Sequence, residues 1–385
     1  MKKILNPQPI INEKSETSEV FVHKDRNFSN LSLLSLLELM ASQNLKFYRS
    51  VEDGELKGID GIINSDDVVL IKVNSQWDER GGTNTDLVYA IIKAVIDHPD
   101  GFKGEIVVAD NGQAQYGASG NGGSLNWDRN NASNKDQSIE DVVQKFKGNK
   151  VSTYLWDSIT ENVVEEFAEG DNEDGYVVNR NVITETDTIV SYPKFTSEFG
   201  TKLSFKYGLY VPEKNDYDID RLKVINVPVL KAHRIFGVTG AVKNYMGVPS
   251  DKITRKLGYR AHDSVGKGGM GTLMAQTRIP VLNILDAVYV NARPGEGPRT
   301  PYDRATMANI IAASTDPVAL DYWGSKNILC EICESITGKV HGSLNPDNSD
   351  TGSFGEWLRL SLEELNAAGF DFTNESDRIN VYLTS

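Results

Sequence analysis

The residues best suited to chemistry are a lysine and a histidine two positions apart. Lys231 and His233 follow the apolar run 222–230, and alternation along an extended chain puts both on one side. An ammonium group there attracts an anion. Imidazole is the side chain whose ordinary pKa lets it exchange protons near neutral pH. The segment Gly237-Val-Thr-Gly-Ala-Val-Lys-Asn244 comes next. A helix starting at Thr239 or Gly240 would turn free backbone N–H groups toward the same place, with Lys243 and Asn244 one turn further in. This is not a P-loop, which needs four residues between its glycines and a Gly-Lys-Ser/Thr ending. Lys72 and Asn74 close the run 67–73, and Asp110 and Asn111 close the run 105–110. In open α/β sheets ligands bind beyond the carboxyl ends of the strands, so these residues are expected at one cleft. The candidate catalytic set is His233, Lys243 and Lys231, with His233 as acid/base and the two lysines holding the anion. The candidate ligand-binding set is Lys72, Asn74, Thr239, Gly240, Asn244 and Asp321.

Charge points the same way. The chain has 40 Lys and Arg against 54 Asp and Glu, a net charge of −14. Between Lys223 and Arg278 ten basic residues accompany only Asp251 and Asp263, so that window is +8 and the remainder is −22. A basic, glycine-bearing stretch in an acidic chain reads as a focused site for a phosphate or carboxylate. Two alternatives stay open: ion pairs with acidic surface elsewhere, and a non-catalytic docking face for an acidic partner or a second copy. The glycine-rich loop 117–123 is a further candidate phosphate cradle.

Other groups are less specific. Asp286 ends a predicted strand, Glu296 lies in the loop Arg293-Pro-Gly-Glu-Gly-Pro-Arg299, and Asp316 before Pro317 is placed to cap a helix. Carboxylates at strand ends can act as bases or hold a divalent ion. His233, His262 and His341 lack short ligand spacing, and the sequence assigns neither a metal nor a cofactor. Cys330-Glu-Ile-Cys333 is a C-x-x-C at a helix end. It reads as a buried helical pair, with a redox role as the alternative.

These residues need a scaffold. At 385 residues, with 39% hydrophobic and 24% charged side chains, the chain can bury a sizeable core. Its acidity argues against nucleic acid and against a polybasic membrane binder. No apolar run approaches the ~18–20 residues of a spanning helix. Two cysteines exclude a disulfide framework. The polar start of the chain lacks a signal-peptide core, so the expected location is the cytoplasm. The expected partner is a small anionic molecule, and a homo-oligomer is left open.

Strands are expected at 67–73, 105–110, 151–155, 222–230, 280–285 and 308–313, with an edge strand at 378–383. Helices are expected at 31–42 (capped by Asn30), 86–97 (capped by Thr83 or Thr85), 138–146, 158–167, 317–330 and 354–368. The strand–helix–strand unit across 67–110 implies a parallel pair. The predicted fold is α/β, a mostly parallel sheet with helices on both faces and a β-rich insertion or second lobe. Its divisions are an extended lead-in over 1–30, a first lobe over 31–175, a β-rich insertion or linker over 176–220, and a second lobe over 221–385 carrying the Lys/His site.

Several of these segments together resemble the family named domain of unknown function 362. They are Val69-Leu-Ile-Lys-Val-Asn74, Val227-Pro-Val-Leu-Lys-Ala-His233, Val238-Thr-Gly-Ala-Val-Lys-Asn-Tyr-Met-Gly247 and Ala313-Ser-Thr-Asp-Pro-Val-Ala-Leu-Asp-Tyr-Trp323. Trp357-Leu358, Ala367-Ala-Gly369 and Arg378-Ile-Asn-Val381 extend the likeness, which covers roughly 68–383. By position the resemblance picks out Lys72, Asn74, Lys231, His233, Thr239, Lys243, Asn244, Asp316 and Asp321, without assigning their roles. Many members carry ferredoxin-type cysteine motifs and are described as iron–sulfur proteins. This chain departs from that pattern, because its cysteines number two.

Overall fold

Ten strands build the sheet that carries the cleft. In the computed structural model, which describes residues 17–26, 28–113 and 129–385, they are β1 Ser18–Lys24, β2 Val68–Lys72, β3 Glu105–Asp110, β4 Val151–Leu155, β5 Leu222–Asn226, β6 Val229–His233, β7 Gly237–Thr239, β8 Leu282–Asn291, β9 Thr306–Ser314 and β10 Ile379–Thr384. The order across the sheet is β10-β1-β9-β8-β5-β2-β3-β4, with β6 paired to β7 and β8. From β8 to β4 all neighbours are parallel, whereas β9 runs antiparallel to both β8 and β1. The sheet is therefore mixed. The parallel expectation holds for the half that forms the cleft.

The expected lead-in over 1–30 contains β1, which lies inside the sheet between β9 and β10. Its residues Val20, Phe21 and Val22 are buried, and a short strand after polar residues gives little periodicity to read. Strands from 31–175 and from 221–385 pair directly, β2 with β5, so one sheet spans both halves. Residues 175–218 form the β-rich element expected there, a five-stranded antiparallel sheet.

Alternation along β2 sorts the core into two faces. Val69 and Ile71 join Leu36, Met40, Leu87 and Ile91, the apolar stripes of α1 Asn30–Ser42 and α2 Thr85–Ile96. Val68 and Leu70 join the opposite layer with Trp156, Phe195, Tyr245 and Leu273. Lys72 continues the phase of Val68 and Leu70, so its side chain emerges on the second face at the carboxyl edge of the sheet.

The helices obey local chemistry with small shifts from expectation. Ser29, not Asn30, is the N-cap of α1. Asn84, not Thr83 or Thr85, caps α2, its Oδ1 accepting from the Asp86 and Leu87 amides. Thr83 instead donates to Val227 O at 2.7 Å and accepts from Asn74 N at 2.8 Å, tying the ends of β2 and β5 together. α3 spans Ile139–Gln144. The helix expected over 158–167 is absent. Only 3₁₀ turns form there, at Trp156–Ile159 and Phe167–Glu169, because Asn162 and Val164 give their backbone groups to Tyr176.

The strand expected over 222–230 is broken in two. Pro228 has no N–H for a ladder, and its carbonyl accepts from Asp286 N at 2.8 Å. β5 therefore ends at Asn226, and β6 resumes against the far half of the long strand β8. Beyond β7 come α4 Ala241–Asn244, α5 Asp251–Lys256 and α6 Gly269–Gln276. Asp316 caps α7 Pro317–Gly324 as expected, accepting from Val318 N at 2.8 Å and Ala319 N at 3.0 Å. The helical path continues past residue 330 through a π segment, Ser325–Leu329, into α8 Cys330–Thr337. α9 is Phe354–Ala367.

Candidate functional site

A cleft of about 300 Å³ opens at the carboxyl edge, where β2, β3 and β6 end and α4 begins. Lys72, Asn74, Lys231, His233, Thr239, Lys243 and Asn244 all line it, as do Asp110 and Asn111. Strands distant in sequence thus bring together seven of the nine candidate residues. Gly240 and Asp321 do not line it. The buried Asp321 carboxylate accepts from Ala241 N and Val242 N and so occupies the N-terminus of α4. The backbone groups expected to greet an anion are already taken, and an added Cβ on Gly240 would lie 2.1 Å from Asp321 Oδ1. The loop 117–123 lies outside the described residues.

The three cleft lysines differ in their partners. Lys72 Nζ stands 2.8 Å from Asp110 Oδ1 and donates to Val73 O at 2.9 Å and Asn244 O at 2.5 Å. Asp110 Oδ2 accepts from Ser75 N at 2.8 Å. Burial pushes the Lys72 ammonium down, and Asp110 opposes that shift. Gly247 lets this pair form, since a Cβ there would fall 2.1 Å from Asp110 Oδ1. Lys231 is fully buried and donates to Gly81 O. Burial and then Lys243 push it well below the ordinary lysine value. Lys243 lies with Nζ 4.7 Å from the centre of the Phe236 ring. Among the described residues no carboxylate reaches ion-pair distance of it. Burial brings it down to about 7, with Lys72 contributing and Asp251 opposing.

The two histidines are set up differently. His233 Nδ1 accepts from the backbone N–H of Ile235 at 3.1 Å and of Phe236 at 3.2 Å. Those donors fix the tautomer with the proton on Nε2. Burial, Lys243 and Lys231 push the ring down to about 2, so at neutral pH it is an uncharged donor. His262 Nδ1 stands 3.0 Å from Asp251 Oδ1, an electrostatic pair rather than an in-line hydrogen bond. Asp251 Oδ2 accepts from Arg260 Nε at 2.9 Å. Burial pushes the Asp251 carboxyl up, but His262 and Arg260 beside it outweigh burial and hold it at about 2. Burial also pushes His262 down, against the pull of Asp251. A carboxylate at Nδ1 favours the tautomer whose Nε2 lone pair is free to take a proton.

Sequence reasoning missed this pair as a unit. Asp251 and His262 are eleven residues apart and meet because α5 and the turn after it fold back. The one available signal was that Asp251 is an acid inside the basic window. Gln113 was also missed. Its Oε1 accepts from Asp251 N at 3.0 Å and its Nε2 donates to Met246 O at 2.9 Å, bracing the turn before α5. Asn244 turns its amide to Asn226 Oδ1 at 2.8 Å and so braces the strand ends. Among the described residues, Asn74 Oδ1 and Thr239 Oγ1, buried at the cleft wall, have no hydrogen-bond partner.

The basic window divides in two. Lys223, Lys231, Lys243 and Arg278 are buried, and Arg278 donates to the carbonyls of Phe205, Lys206, Ile219 and Leu222. Lys252 and Lys256 face Glu161, and Lys267 faces Asp187. Much of the +8 is thus turned inward or paired. Among the described residues no three of His, Cys, Asp and Glu gather as a metal site, and no helix is long and apolar enough to cross a membrane. Cys330 and Cys333 are buried, and burial pushes the Cys330 thiol up to about 12, away from reactive thiolate chemistry.

A parallel strand-end cleft faced by lysines and histidines defines the class of site. Residues 218–326 match the family model described as Domain of unknown function (DUF362). The match supports a likeness to that family over this stretch, which includes Lys231, His233, Lys243, Asp251 and His262. No curated protein matches the chain. A crystal structure of a protein from Thermotoga maritima aligns with a TM-score of 0.33 at 8% identity, over 69% of this chain and 52% of that one. The chain spans about half the length of that protein.

Proposed function

We propose that the chain binds a small anion bearing a phosphate or carboxylate in this cleft and is an enzyme acting on it. The observation that carries the reading is the convergence of Lys72, Lys231 and Lys243 on one cleft, with Asp110 the one carboxylate among the described residues in ion-pair contact with them. Concentrating uncompensated cations in a low-dielectric wall costs stability unless an anion repays it, so the arrangement is one that a bound anion completes. The proton acceptor in this reading is His262, backed by Asp251. His233 serves as a neutral donor from Nε2, because a ring held near 2 cannot exchange protons at pH 7.

The test is thermal unfolding with inorganic phosphate and with malonate. A ligand at about 100 times its Kd adds about 2.7 kcal/mol to the stability of the folded state. The expected result is a rise in Tm for the wild type that is lost in Lys243→Ala, with that variant folded by circular dichroism. An equal rise in both proteins would place the anion elsewhere.

A further inference from the structure

We propose that the Lys243 amine is a nucleophile that condenses with the carbonyl of a small oxo acid, a compound carrying an aldehyde or ketone beside a carboxylate. The proposal rests on the anion-binding reading of the same cleft and names its substrate class. Three features carry it. Lys243 lies at the wall of the cleft near the end of α4, its Nζ over the face of Phe236. Its two lysine neighbours are already engaged, Lys72 by Asp110 and two carbonyls, Lys231 by Gly81 O. Lys243 has neither an ion-pair partner nor a hydrogen-bond acceptor among the described residues, so its nitrogen lone pair is not committed once it loses a proton. Finally, a proton carrier lines the same cleft in His262, held beside Asp251 at 3.0 Å.

Desolvation and neighbouring cations are the two means by which lysines are made nucleophilic at neutral pH, and Lys243 has both. Burial and Lys72 bring it to about 7, so about half of it is neutral at that pH. The step balances without oxidant or reductant. Nζ attacks the carbonyl carbon and a C–N bond forms. The carbonyl oxygen then leaves as water with the two amine protons, and the product is an imine. His262 Nε2 takes a proton from nitrogen and returns it to the departing oxygen. The substrate carboxylate faces the Nε2–H of His233 and the remaining cations.

The experiment is reductive trapping on the full chain. The protein is incubated near pH 7 with glyoxylate and cyanoborohydride, digested, and mapped by mass spectrometry. The expected product is carboxymethyl-lysine at Lys243, formed roughly tenfold or more faster than at the exposed Lys214. Excess inorganic phosphate should suppress it. Lys243→Arg should lose this adduct, while Lys214→Arg should keep it. Adducts confined to exposed lysines, with phosphate still raising Tm, would overturn the nucleophile and leave the anion site standing. No adduct at Lys243 and no effect of phosphate would overturn both.

Discussion

At the residue scale the site is governed by what burial does to charge. Lys243 is charged in the unfolded chain below about 10.5 and in the folded chain only below about 7. Between those values the unfolded state binds the extra proton, so stability falls as pH drops from about 10.5 to 7 and the full penalty remains below 7. Lys243→Met removes the penalty. It should stabilise the protein by about 1–4 kcal/mol at pH 7, with the gain shrinking toward pH 10, as read by urea unfolding across that range. A variant no more stable than wild type at pH 7 would mean that the amine is solvated or paired. The sequence named Lys72, Lys231, His233 and Lys243 correctly as neighbours, because strand ends and alternation are local rules. It could not say how the surroundings of the two histidines differ. That depends on two backbone N–H groups at His233 and on the approach of Asp251 to His262, and neither has a periodic signature.

At the element scale the parallel ladder fixes the cleft by register. Lys72 lies opposite Asn226 on β5 and Ala109 on β3, so the carboxyl ends of three strands come level. The turn at Gly247 closes over them. Gly247→Ala would drive a Cβ to within 2.1 Å of Asp110 Oδ1 and 2.5 Å of Lys72 Nζ, the ion pair itself. It should cost about 1–3 kcal/mol and weaken phosphate binding, both measurable by unfolding with and without phosphate. Unchanged stability would mean that the turn yields freely. Strand β3 was legible to the residue as a short apolar run buried on both faces, and β4 from its β-branched and aromatic residues. The break at Pro228 and the missing helix over 158–167 were not. One depends on β8 offering a second partner and the other on the competing claim of Tyr176.

At the scale of the whole molecule, a chain of net charge −14 gathers three lysines at one cleft. Exposed charges are screened over a Debye length of ~10 Å at 0.1 M salt, whereas buried ones are screened much less. Phosphate affinity should therefore change by less than about tenfold between about 0.05 and 0.5 M sodium chloride in calorimetric titrations. A steep loss would instead favour the docking face that the +8 window first suggested. The sequence divisions hid one fact of this scale, that a single sheet draws on both halves, because pairing between distant strands leaves no local mark.

The place of β1 has a consequence in time. It pairs with β9 and, in parallel, with β10, as in Ser18 with Ile379 and Phe21 with Ala313. Each contact closes a loop of most of the chain, and such closures carry the largest entropy cost of any pairing in the sheet. A polypeptide emerging from the ribosome makes β1 long before either of its neighbours. Through nearly all of synthesis this strand, with buried Val20, Phe21 and Val22, waits with unpaired edges, which is the state most open to aggregation. The cleft end of the molecule, built from β2 to β6, can assemble earlier, so the region proposed to do the chemistry precedes the seam that locks the sheet.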